Sequence, residues 1–317
     1  MTNYDWSDLA FGSKKEINGL DAIFVAAPRE ISVARLKQIV KEYLPKGNLL
    51  IGLAKEKYID GFKGQAQFKT LQLGAIEKTA DKINNAGFKN KIYTLSYFQR
   101  DLIFVLEKLR LKKDLFINGS WKYLFHNLPV YYTLVSKKIE YEMLSPFIND
   151  QEAKSYEKSV LQNEQKVTGL YTAKQMFLMA DEIAKRSFDY VYQTGLTVGL
   201  KKGAKYKFVA QSFNKVVPYQ TYAMHNGSAR EANFSPVNDL NYYDTVHAEV
   251  GLLLRAQKQK INLKGTTLFI NLLPCPNCAL MLCDTDIKEF VYRTDHSEGT
   301  AAKLLEAAGK RITRVVQ

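Results

Sequence analysis

The stretches TVHAEVGLLLRAQ (245–257) and NLLPCPNCALML (271–282) decide how this chain is read. The first places His247 and Glu249 at the head of an apolar run with helical spacing. The second places Cys275 and Cys278, two of only three cysteines, 28 and 31 residues after that histidine and brackets the first with prolines. Proline is favoured at the first position of a helix, where its missing N–H costs nothing. Pro276 therefore predicts a helix capped by Cys275, with Cys278 three residues on and facing the same side. Sulfurs at the positive end of a helix ionise more readily, which makes them metal ligands. With His247 as third ligand, one imidazole and two thiolates leave a tetrahedral position open, the arrangement of catalytic rather than structural zinc. Glu249 points away from the ligand direction of His247 on a regular helix. It is placed instead to take a proton from water at the metal and pass it on. Cys283 falls off the face of Cys278 and reads as core, and His225 and His296 are weaker candidates for ligation.

Working outward, the surrounding elements alternate. YTAKQMFLMADEIAKRSF (171–188) has the spacing of a helix burying Met176, Phe177, Met179, Ala180 and Ile183. Residues 194–218 alternate like a hairpin whose turn is the Lys/Gly cluster GLKKGAKYK (199–207). Strands are predicted at 265–272, 287–293 and 311–316, with a helix at 299–309. The N-terminal half runs strand (20–27), helix (32–44), strand (48–54), helix (67–86), strand (91–97), helix (98–111), strand (114–119). That series argues for a parallel sheet with helices on its faces, a Rossmann-like α/β domain. A polar, Gln/Glu/Lys-rich stretch at 148–167 reads as a connecting helix. The domains are accordingly 1–165, including that helix, and 166–317.

The N-terminal half carries neither G-x-G-x-x-G nor G-x-x-x-x-G-K-[ST], so no phosphate-cradling loop is legible. INGSWKYLFHNLPVYYTL (117–134) gathers Asn118, Ser120, Trp121, His126 and two tyrosines at a strand end, where open α/β sheets take ligands. An aromatic helix packed on the sheet, with His126 as its satisfied polar member, is the favoured reading of this stretch.

His247-Ala-Glu249 followed by Pro274-Cys-Pro-Asn-Cys278 resembles the zinc-dependent cytidine/deoxycytidylate deaminase superfamily, whose signature is H-x-E…P-C-x-x-C. The resemblance covers residues 168–317 and implies a cytidine-deaminase-like α/β/α sandwich there. MHNGSAREA (224–232) resembles the substrate loop of deoxycytidylate deaminases at Asn226 and Gly227, and departs from it at His225 and Ala229. By resemblance, zinc would be held by His247, Cys275 and Cys278, and Glu249 would be the proton shuttle. Asn226 would bind the sugar hydroxyl, the Ala248 backbone would contact the base, and Arg230 would neutralise a 5′-phosphate. The implied reaction is hydrolytic deamination of a cytosine nucleotide, dCMP to dUMP, by zinc-activated water. The alternative is an RNA or single-stranded DNA base-editing deaminase. The resemblance also implies a homo-oligomer.

Bulk properties bound these readings. The 317 residues exceed one average domain, and 46% hydrophobic with 24% charged residues exclude a disordered chain. A net charge of +13 suits an anionic partner, but the lysines are scattered and form no basic stripe with interleaved aromatics, which ranks nucleic acid behind a nucleotide. No apolar run reaches the roughly 18 residues of a membrane span, and no signal peptide is evident. Three cysteines fit a reducing compartment, so a cytoplasmic address is expected, with a small-molecule nucleotide as substrate and a regulatory nucleotide as a candidate ligand of the N-terminal domain.

Overall fold

The computed structural model describes residues 3–12, 15–120, 124–161, 167–236, 239 and 241–316. The chain forms two compact units: 1–160 with 221–243, and 161–220 with 244–317. Residues 221–243, which the sequence assigns to the C-terminal domain, thus pack within the first unit. The expected boundary near 165 lies outside the described residues.

The first unit is built on a six-stranded, wholly parallel sheet of β1 (Asn3–Asp5), β2 (Asp21–Ala26), β3 (Asn48–Ala54), β4 (Ile92–Tyr97), β5 (Arg110–Ile117) and β6 (Glu140–Leu144), in the order β1-β4-β3-β2-β5-β6. Its helices are α1 (Trp6–Ala10), α2 (Lys15–Asn18), α3 (Val33–Tyr43), α4 (Leu73–Asn85), α5 (Leu102–Lys108), α6 (Pro129–Lys137) and α7 (Asp150–Val160). Strands β2 and β3 are almost wholly buried because both faces are covered, as near-continuous apolar runs require. One face packs Leu36, Ile39 and Val40 of α3 and Ile76 of α4 against Ile23, Val25 and Ile51. The other packs Val105 and Leu106 of α5 and Leu134 of α6 against Phe24, Leu50 and Phe116.

Two expected helices are shorter than their periodicity suggests. The helix expected at 67–86 begins at Leu73, because Thr70 bridges to Arg29, Lys69 bridges to Tyr58, and Leu71 N–H donates to Pro28 O at 2.9 Å. Those long-range pairings hold 69–71 extended. The helix expected at 98–111 stops at Lys108, and Arg110 already pairs with Asp21 as the first residue of β5. The exposed outer half of β5, Arg110–Lys113, lacks the apolar run that marks its buried half.

Inside the first unit, His126 is the satisfied polar residue expected of it. Its Nδ1 lies 2.9 Å from Glu231 Oε2 and its Nε2 3.0 Å from Ser235 O. Glu231 and Ser235 belong to the excursion 221–243, which carries α9 (Tyr222–Asn226) and α10 (Ala229–Ala232). Met224 packs on Gly119, whose φ of +72° and lack of a Cβ permit that approach; a Cβ there would lie 2.8 Å from Met224 Cγ. Trp121 lies outside the described residues.

The second unit also has a six-stranded sheet, ordered β14-β13-β12-β8-β9-β7, from β7 (Leu170–Tyr171), β8 (Gly195–Lys202), β9 (Lys205–Phe213), β12 (Thr267–Leu272), β13 (Glu289–Thr294) and β14 (Arg311–Arg314). β12, β13 and β14 are parallel, whereas β8 runs antiparallel to β12 and β9. A two-stranded ladder of β10 (Lys215–Val216) and β11 (Thr245–Val246) stands apart. The helix α8 (Ala173–Ala184) sets Met176 and Phe177 against Phe269 and Val291 on one face. The other face carries α11 (Ala248–Gln259), α12 (Pro276–Cys283) and α13 (Thr300–Ala307), through Leu252, Leu282 and Leu305. Among the described residues no helix is long and apolar enough to cross a membrane.

Gly195 opens β8 directly beneath α8: a Cβ there would stand 2.1 Å from Ala180 O and 2.7 Å from Ala184 N. Backbone cannot yield as a flexible side chain can. Gly195→Ala should therefore lower the stability of the second unit by about 1–3 kcal/mol through overpacking, read as a drop in the denaturant midpoint of its unfolding transition.

Candidate active site

Two helix N-termini build the site. His247 is extended (φ −62°, ψ 151°) at the N-cap of α11, directly after the short strand β11. Cys275 is likewise extended (φ −64°, ψ 161°) at the N-cap of α12, with Pro276 at the first helical position. Its Sγ accepts from Cys278 N–H at 3.5 Å, so the thiol performs the capping that Ser or Asp usually provides. Leu273 N–H donates to Thr294 O at 2.8 Å, which fixes the chain between the end of β12 and Pro274.

These caps bring His247 Nδ1 to 3.5 Å from Cys275 Sγ and 3.3 Å from Cys278 Sγ. All three potential ligand atoms lie within 4.8 Å of one another, and no further His, Cys, Asp or Glu among the described residues joins the group. Tetrahedral zinc with its usual bond lengths sets nitrogen and sulfur about 3.5 Å apart. The donor set and its spacing fit that ion, with one coordination position left over.

The electrostatics follow from the same geometry. The Cys275 thiol is drawn down to about 4, first by the Cys278 side chain hydrogen-bonded to it, then by His247 and the Cys278 amide. Cys278 moves the opposite way, because its bond to Cys275 and its burial both favour the thiol. Two adjacent thiolates repel, so both ionise together only when a cation shares the site. The His247 imidazole is raised, chiefly by Cys275, with Glu249, Cys275 and Asp189 adding negative charge.

Glu249, in the first turn of α11, is only 3% exposed. Burial pushes its carboxyl up to about 7, partly offset by its own backbone N–H and by His247. A carboxyl poised near neutrality can both accept and release a proton. Ala248, fully buried, contributes the first backbone amide of α11, one of the N–H groups without an intrahelical acceptor.

Asp189 was not legible as part of this neighbourhood. Its Oδ2 accepts from Thr245 Oγ1 at 2.7 Å and from Asn214 Nδ2 at 3.3 Å, while Oδ1 accepts from Val191 N–H at 2.7 Å and Tyr192 N–H at 3.1 Å. It therefore ties the loop before β8 to the strand that delivers His247. Asn271 fastens the same loop, accepting from Gly195 N–H at 3.0 Å and donating to Gln193 O at 2.9 Å.

The other expected contacts fall elsewhere. Asn226, exposed at the end of α9, and Arg230 on α10 both belong to the first unit. Arg230 Nε donates to Tyr242 O at 2.9 Å, another of its nitrogens donates to Asp239 O at 3.0 Å, and its guanidinium lies over the Tyr243 ring at 4.6 Å. His225 sits there as well, its Nδ1 2.6 Å from Ser145 Oγ, and is no part of the metal group. His296 is exposed and stands outside that group too. Cys283 directs its thiol at Leu304 O, 3.6 Å away, within the helical layer.

The site thus gathers a buried acid, an imidazole and two thiols on converging helix caps, a donor set that fits a metal ion. Comparison with known proteins carries this further. Residues 224–316 match the MafB19-like deaminase family. The chain is 28% identical to human deoxycytidylate deaminase over 106 residues, which are 31% of this chain and 58% of that protein. It is 36% identical to the deoxycytidylate deaminase of Enterobacteria phage T2 over 47 residues, 15% of this chain and 25% of the phage protein. It thus spans little more than half the length of the human relative. A dCMP deaminase from the cyanophage S-TIM5 aligns in three dimensions over 45% of this chain and 96% of its own, at 18% identity and a TM-score of 0.32. The C-terminal region is thus similar to the cytidine/deoxycytidylate deaminase superfamily.

If the three ligands act together, Cys278→Ser should weaken zinc binding by at least about 100-fold, beyond the loss that outlying partners of a metal ligand cause. Zinc content after gel filtration should fall from near one equivalent in the parent protein to a small fraction of one.

Proposed function

We propose that the protein is a zinc-dependent deaminase that hydrolyses the exocyclic amine of a cytosine nucleotide, dCMP to dUMP being the reaction we favour. The observation that carries this reading is the convergence of His247, Cys275 and Cys278 with a buried Glu249 on the same helix turn. The dCMP assignment draws support from the relatives, which are deoxycytidylate deaminases. His247, Cys275 and Cys278 would hold the ion. Zinc bound there supplies Lewis acidity toward water, the source of the nucleophile at neutral pH. Glu249 takes the proton released when water adds at C4 of cytosine and delivers it to N3; it then takes the proton of the new C4 hydroxyl and passes it to the amine, which leaves as ammonia as the C4 carbonyl forms. Its low exposure keeps bulk water from bypassing it. The Ala248 amide orients the base in this reading.

In the same reading the second unit is a cytidine-deaminase-like α/β/α sandwich and the first a Rossmann-like module that takes a regulatory nucleotide. The strand order supports the latter, since β4-β3-β2-β5-β6 reads 3-2-1-4-5 when β1 is set aside. The assembly is a homo-oligomer, and a cytoplasmic address suits three cysteines that form no disulfide.

An ammonia-release screen across cytosine, cytidine, dCMP, dCTP, adenosine, guanine and oligonucleotides tests the substrate. We expect dCMP to lead. Activity confined to oligonucleotides and falling steeply with salt would point instead to RNA or single-stranded DNA editing. Glu249→Gln should reduce kcat on the best substrate by at least about 1,000-fold, within the range of a general acid–base group, while bound zinc stays at the parent level. Loss of zinc in that variant would move Glu249 from proton transfer to metal binding.

A further inference from the structure

Buried polar side chains without a partner mark places where something is missing. Among the described residues, the side chains with such atoms are Arg29, Tyr97, Asp101, Asp114, Ser120 and Tyr156, and all belong to the first unit. Arg29 stands out among them. It has no exposed surface, and neither its Nε nor either terminal nitrogen has a hydrogen-bond acceptor. A guanidinium cannot escape this by losing its proton, as a buried lysine or carboxyl can. Its neighbours are the faces of Phe68, 5.3 Å from the guanidinium carbon to the ring centroid, and Tyr156, 5.9 Å away. Such contacts repay only part of the desolvation of a full charge and satisfy none of its five N–H donors in the plane.

Topology singles out the same place independently. The connections from β2 run through β3 to β4 on one side; the chain then crosses to β5 on the other side of β2. The gap between the carboxyl ends of β2 and β5 is therefore the switch point, where open α/β sheets receive ligands. Arg29 lies three residues beyond the end of β2, and Ser120 three beyond the end of β5, on directly paired strands (Ala26 with Phe116). The Ser120 hydroxyl is also buried and unpartnered. The eleven-residue α3, capped at Ser32, opens four residues after Arg29, at Val33, and presents the positive end of its dipole at this edge.

We propose that the carboxyl edge of the first unit's sheet, between β2 and β5, binds the oxyanion group of a small molecule, with Arg29 as its charge partner and Ser120 as a hydroxyl donor. The Tyr156 ring, on α7, covers the guanidinium and packs on Phe147 with centroids 5.3 Å apart, and its buried hydroxyl is a further unpartnered donor at this place. The proposal sharpens the reading of this unit as a nucleotide module and rests on that unit alone, whether or not the second unit deaminates cytosine.

The test is calorimetric titration and thermal unfolding of the full chain with inorganic phosphate, pyrophosphate, ribose 5-phosphate and citrate, none of which carries a base for the second unit to act on. At least one should bind saturably and raise the unfolding midpoint. Ribose 5-phosphate ahead of the rest assigns a phosphate ester, and citrate ahead of the rest a carboxylate. Arg29→Met, an apolar replacement of similar length, should weaken binding more than about 30-fold. Its ligand-free midpoint should equal or exceed that of the parent, because an unpaired buried charge has been removed. Ser120→Ala should weaken binding about 3–10-fold. Absence of saturable binding by all four probes, or unchanged binding in Arg29→Met, overturns the proposal. So does a ligand-free midpoint for Arg29→Met well below the parent's, which would assign the guanidinium to its two rings.

Discussion

The second unit depends on two helices beginning at one point. Each starts with a residue in extended conformation whose side chain joins the His247, Cys275 and Cys278 cluster, so the start of each helix and the position of its donor atom share the same backbone geometry. Neither can be relaxed without the other. The cores beneath the caps explain why they stay together. α11 approaches β9 so closely that a Cβ on Gly251 would stand 2.8 Å from Ser212 Oγ, and α12 packs through Ala279 and Leu282 into the same apolar layer. Position is thus set by apolar packing, and charge is then tuned by what the caps bring within reach.

The polar surroundings divide into two kinds. Glu249 is held in a dry pocket with little to stabilise its anion beyond its own amide and the imidazole. Asp189 has the opposite surroundings, with four hydrogen bonds to its two oxygens that draw Thr245 and the loop before β8 together. One acid is buried with few partners, and the other serves as a structural tie.

Much of this was legible in the chain itself. The apolar runs of β2 and β3, the spacing of α3 and α8, and the Lys/Gly turn of the β8–β9 hairpin follow from local residue order. So does the capping role of Cys275, since Pro276 announces the start of α12. What escaped has no local signature. β1 is three residues long, and β6 (EYEML) is a charged edge strand joined to its sheet by backbone hydrogen bonds. Residues 69–71 have helical periodicity but are drawn extended by partners as far away as Arg29. Asp189 meets Thr245 across 56 positions, and His126 meets Glu231 across 105. Arg29 lies in APRE, four residues that look like an ordinary turn until burial is known.

The excursion 221–243 has a bearing on how the two halves of the chain are related. Its stem is zipped shut by the ladder of β10 and β11 and by Val217 N–H donating to Asp244 O at 2.9 Å, one residue before β11 leads into His247. Its tip folds with the other unit. The peptide therefore leaves the second unit and returns to it within a few ångströms. No single cut in the chain separates the two units, because residues 221–243 belong to the first and fall between segments of the second. Gene fusion by simple end-to-end joining does not produce such an arrangement, and shuffling at one crossover point would not preserve it.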